Sequence, residues 1–166
     1  MGILWDAKPI TIAGFVVAIV SFVLQLIGFA TSYWLYRKMR DAEYHAGLWQ
    51  ICLPTRSGTT ECEQMECGKF SCISLKGTQA LETLAFIILL AAVVLVAVQL
   101  FVMKDKDILK KAGAVCCIVA GAFALIGVIV FATESSIQTS DLHFSFAFCI
   151  ISSVCGIVAG VLLVIR

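Results

Sequence analysis

The chain of 166 residues has no asparagine, and only 14% of its residues are charged. Without asparagine there is no N-x-S/T acceptor, so N-linked glycosylation is excluded. The charges are also missing in blocks: residues 9–36, 83–103, 112–133 and 142–165 contain no Lys, Arg, Asp or Glu. Each block exceeds the roughly 20 residues a helix needs to cross hydrocarbon. A hydrophobic share of 61% would be hard to hide in a soluble domain of this size, whose surface must be largely polar. The net charge is +1 and basic residues are not clustered to track phosphates, which argues against a nucleic-acid partner.

The blocks predict an all-α membrane protein, a single four-span domain over 1–166 with helices at about 10–33, 79–103, 112–133 and 142–165. Outer loops would occupy 34–78 and 134–141, and an inner loop 104–111. The first block is too long for a signal h-region and lacks a small-residue cleavage site, so it is expected to be retained. Gly2 is followed at the critical position by Asp6 rather than Ser or Thr, which excludes myristoylation. Loop 104–111 packs four lysines and 134–141 has no Lys or Arg, so both termini are expected in the cytoplasm of a plasma-membrane protein. Arg37, Lys38 and Arg40 run against that bias, but Cys52, Cys62, Cys67 and Cys72 in the same loop suit an oxidising outer compartment.

Zinc favours close pairs, whereas these cysteines are spaced ten, five and five with no His between them, so neither a metal nor a cofactor is expected. A disulfide-transfer catalyst would show C-x-x-C, which is absent. A structural disulfide framework is left. Leu48, Trp49, Ile51 and Leu53 have strand character before Pro54, and Ser57-Gly58 offers a turn before Thr59 to Cys62. Such a hairpin would set Cys52 opposite Cys62, with Cys67 and Cys72 closing a smaller loop, although four cysteines allow three pairings.

Trp34, then Gly47-Leu48-Trp49, then Cys52 and Cys62 resemble the W, GLW and C...C signature of the claudin superfamily, which includes peripheral-myelin and epithelial membrane proteins and channel regulatory subunits. The likeness covers nearly the whole chain. It implies a left-handed four-helix bundle carrying an extracellular antiparallel sheet, with the Leu and Trp of the triplet seated at the top of the bundle and Cys52 bridged to Cys62. There are departures. Gln79 stands where claudins usually place Arg, 134–141 is short for trans adhesion, and with the sequence stopping at Arg166, by nature or by truncation, the tail of a C-terminal PDZ-binding motif is not expected. Cys67 and Cys72 are extra to the two-cysteine pattern.

Small residues mark the expected helix contacts: Gly113, Cys116, Cys117, Ala120, Gly121 and Ala124 on the third span, Ser152, Gly156 and Gly160 on the fourth. Gln25 and Gln99 are the strongly polar side chains within the spans. No acid or base is expected mid-membrane, which argues against a proton-coupled pump. Cys116 and Cys117 lie near the inner end of the third span and are candidates for palmitoylation or for simple packing; Cys149 and Cys155 read as packing. His45 and His143 read as interfacial residues. No nucleophile–base pair or cofactor loop is present, so an enzyme is not expected.

Two function classes follow. In one, the protein associates laterally and through its outer loop with itself or other four-span proteins at cell junctions, and Glu61, Glu63 and Glu66 favour cations along a paracellular path. In the other, the same loop contacts a larger channel or receptor as an auxiliary subunit. Membrane lipid is a partner in both.

Overall fold

The computed structural model describes residues 9–39, 42–55, 59–66, 71–103, 107–134, 137 and 139–165. Four helices are each long and apolar enough to cross a membrane: α1 (Pro9–Ala30), α2 (Cys72–Phe101), α3 (Asp107–Ala132) and α4 (Phe144–Val164). Between α1 and α2 lie four strands, β1 (Leu35–Met39), β2 (Ala42–Ala46), β3 (Gln50–Pro54) and β4 (Thr60–Gln64), in one antiparallel sheet of that order. A 3-10 turn at Thr139–Asp141 precedes α4.

The helices are built inside out relative to a soluble bundle. α1 buries Gly14, Ala18, Ser21, Gln25 and Gly28 and exposes Val16, Val20, Val23 and Ile27. α3 buries Gly113, Cys117, Ala120, Ala124, Gly127 and Phe131, and α4 buries Ser145, Cys149, Ser152, Gly156, Ala159 and Leu163. Lipid is as apolar as leucine, so helix association relies on close backbone approach and hydrogen bonds rather than on hiding large side chains. The alternating steps of three and four along every seam average 3.5, the period of left-handed packing.

The close approach is measurable. A Cβ added at Gly121 would lie 2.7 Å from the Ser153 carbonyl oxygen, and one at Gly160 would lie 2.7 Å from that of Ala114. Across α1 and α4, Ser21 and Ser152 exchange hydroxyl-to-carbonyl bonds of 2.8 and 2.7 Å. The third- and fourth-span residues expected to mediate packing therefore do so, except that Cys116 is only half-buried.

One expectation is corrected. The spans do hold an acid: Glu82 on α2 is fully buried and accepts a 2.6 Å bond from Gln25 Nε2. The second charge-free block begins at Thr83, and the expected span 79–103 puts Glu82 in its first turn. The helix instead extends back to Cys72, so Glu82 lies well within it. At about 1.5 Å per residue, the 30 residues of α2 span about 45 Å, more than the ~30 Å hydrocarbon core. Its first turns therefore stand beside the sheet.

Candidate functional site: the sheet and its seat on the bundle

The last carbonyls of any helix lack intrahelical donors, and α1 meets this need with the signature residues. The Ile27 carbonyl accepts from the Thr31 hydroxyl at 2.6 Å, the Gly28 carbonyl from Trp34 Nε1 at 2.7 Å, and the Phe29 carbonyl from Trp49 Nε1 at 3.0 Å. Trp34 is fully buried, its ring edge-on to Phe131 at 4.8 Å. Trp49 is 39% exposed and lies edge-on to Phe29 at 5.2 Å. It holds the rim of the seat rather than filling it, and Leu48, 0% exposed, is the plug.

The same connection caps the start of α4. The Trp34 carbonyl accepts from the His143 backbone N–H at 2.9 Å, and that of Tyr33 from Ser145 N–H at 3.3 Å. Gly47 passes so close to the end of α1 that a Cβ would sit 2.6 Å from the Thr31 oxygen. Its neighbour Leu48 offers a carbonyl to Gln79 Nε2 at 2.6 Å. Gln79 is 8% exposed, and a neutral donor there avoids burying a cation.

β3 and β4 pair with Cys52 opposite Cys62, and these two form a disulfide. The Thr55 amide and hydroxyl close the hairpin on the Thr59 carbonyl at 2.7 and 2.9 Å; the expected Ser57-Gly58 turn lies outside the described residues. Cys72 is also disulfide-bonded, while Cys67 lies outside the described residues. Cys117 is fully buried in the bundle and Cys116 half-buried.

Two of the three cations that ran against the charge bias, Arg37 and Lys38, pair with carboxylates of the sheet and of the turn before α4. Arg37 donates through Nε and Nη2 to Asp141 Oδ2, which ties β1 to the turn before α4, and the bond raises the guanidinium's already high pKa. Leu142 bridges back onto Leu35. Lys38 and Glu43 pair at 2.9 Å across β1 and β2; the Lys38 ammonium, then a bond from Tyr36, holds the Glu43 carboxyl below its ordinary range. Arg40 lies outside the described residues.

β4 forms one edge of the sheet, pairs with no further strand among the described residues, and has all five of its residues exposed. Glu61 and Glu63 stand opposite Leu53 and Ile51 on one face, and Glu66 follows, also exposed. Among the described residues none of the three has a salt-bridge partner. Sequence reasoning found these carboxylates and the cysteine pair. It missed β1, β2, the Arg37–Asp141 tie and Glu82.

Four spans, a sheet stapled by Cys52–Cys62, and tryptophans capping α1 form one coherent unit, and the sequence model of the PMP-22/EMP/MP20/Claudin family matches residues 9–163. The chain belongs to that family. A comparison with individual curated proteins gives no match. As a PMP-22/EMP/MP20/Claudin protein, it is a multi-pass membrane protein whose apolar helix faces meet lipid and whose distinctive surface is the sheet.

Proposed function

We propose that this protein acts at cell contacts of the plasma membrane, associating laterally with itself or other four-span proteins through its outer sheet, with the β4 edge lining a cation-favouring ion path. The observation that carries this reading is the exposed edge strand: Glu61 and Glu63 on β4, with Glu66 just after it, have no salt-bridge partner among the described residues and stand on a sheet held by the tryptophan caps and the Gln79 bond. An edge strand with free backbone groups is a natural template for a neighbour, and carboxylates along a narrow water path favour cations.

The short 134–141 connection is drawn down onto β1 by Arg37–Asp141 and the Leu35–Leu142 bridge, which supports lateral association over long-reaching trans adhesion. In the proposed orientation both termini and 104–111 lie in the cytoplasm; four lysines in 104–111 and the pairing of Arg37 and Lys38 with carboxylates support it. An auxiliary role on a larger channel or receptor would use the same edge strand. Expression alone in cells that lack claudins decides between the two. Concentration at contacts, with crosslinks between copies through β4, supports the junction reading. Diffuse surface expression with co-purification of a larger channel supports the auxiliary one.

A further inference from the structure

The proposed function makes no use of the buried Gln25–Glu82 pair. Both side chains are 0% exposed, and Gln25 Nε2 donates to Glu82 Oε2 at 2.6 Å. That leaves Gln25 Oε1 and Glu82 Oε1 buried with no hydrogen-bond partner among the described residues. Joined by that one bond, the two side chains thus each keep an acceptor oxygen that no donor meets. Such orphans are rare in folded proteins because each has lost its water without replacement.

The surroundings supply no compensating charge. From α1 the facing group is the Gln25 carboxamide; from α3 it is Gly127, where a Cβ would lie 2.6 Å from Glu82 Oε1. From α4 it is Cys149, whose thiol is within electrostatic reach. Thr78, one turn before Glu82 on α2, spends its hydroxyl on the Gly127 carbonyl at 3.3 Å. No cation among the described residues acts on the carboxyl. With α3 flush against Oε1, that side has no room for a metal ion or a water. An unpaired carboxylate in such a place is costly.

A single proton removes both orphans. We propose that Glu82 binds a proton on Oε1 and donates it to Gln25 Oε1, closing a two-bond carboxyl–carboxamide ring between α1 and α2. The proton comes from water as the helices associate, and nothing is oxidised or reduced. The ring lies one turn below the seat of the sheet: Gln25 is three residues before Gly28, whose carbonyl holds Trp34, and Glu82 is three residues after Gln79, which holds Leu48. The bound proton therefore fixes the α1–α2 spacing on which the tryptophan and GLW contacts depend. The inference is independent of the junction reading.

Infrared spectroscopy of the full chain in lipid nanodiscs, with 13C-carboxyl glutamate, tests it. At neutral pH the wild type should show the C=O stretch of a hydrogen-bonded, protonated carboxylic acid. That band should vanish in E82Q and shift in Q25L, which removes the acceptor but keeps the acid. A wild-type spectrum with carboxylate bands alone, or an acid band that ignores Q25L, overturns the proposal even if E82Q fails to fold. Thermal unfolding adds a second readout. E82Q, which keeps a neutral group able to pair with Gln25, should melt near the wild type, whereas E82A should melt well below it. Equal losses in E82Q and E82A would overturn the ring.

Discussion

At the scale of residues, the W...GLW pattern is a capping device. Trp34→Phe keeps most of the ring but leaves the buried Gly28 carbonyl without a donor, a loss of about 1–3 kcal/mol. Trp49→Phe should cost less, because water reaches the half-exposed Phe29 carbonyl in its place. Thermal melts of the two variants in the same detergent should rank them in that order, and a larger loss at Trp49 would contradict the capping assignment. Gly47→Ala forces a methyl to 2.6 Å from the Thr31 oxygen and should destabilise by about 1–3 kcal/mol, read as reduced surface delivery. These positions were legible as a motif but not as a mechanism: nothing in the residue order says that indole N–H groups point at helix carbonyls. Glu82 fell in the first turn of the expected span, and its depth was not legible because hydropathy finds the charge-free block and not the end of the helix, which extends back to Cys72.

At the scale of elements, the helices were the most legible part, because lipid exposure demands an uninterrupted apolar surface. The small-residue seams could be read for the same reason. β1 and β2 were not read as strands. Their stretch carries Arg37, Lys38, Glu43 and His45 with no clean alternation, and its stability comes from cross-strand and β1-to-turn pairing that appears only once register is known. The hairpin of β3 and β4 was legible because Leu48, Trp49, Ile51 and Leu53 have strand character and Ser57-Gly58 offers a turn, and its register sets Cys52 opposite Cys62. Removing that bridge, which closes a separation of ten residues, should cost roughly 2–4 kcal/mol. Non-reducing peptide mapping should recover Cys52 joined to Cys62, and the C52S variant should reach the surface less well than C72S. Across β1 and β2, the depressed Glu43 carboxyl contributes stability that is present above the unfolded carboxylate value and lost as pH falls through the folded one. An NMR titration should find Glu43 changing charge below the ordinary carboxylate range and moving back up in Lys38→Met.

At the scale of the whole molecule, a lipid-facing bundle grips a sheet whose β4 edge is exposed, carries Glu61 and Glu63, and pairs with no further strand among the described residues. The proposed orientation, lysines inside and the disulfide outside, predicts that a cysteine introduced at Ser140 reacts with an impermeant thiol reagent in intact cells and that one at Lys110 does not. The central claim is that the β4 carboxylates face an ion path between cells. The most direct measurement is the ratio of sodium to chloride permeability across a cell layer lacking claudins, expressing the wild type or Glu63→Gln. The account predicts cation preference in the wild type and a clear fall toward no preference in the variant at equal surface expression. An unchanged ratio would contradict it.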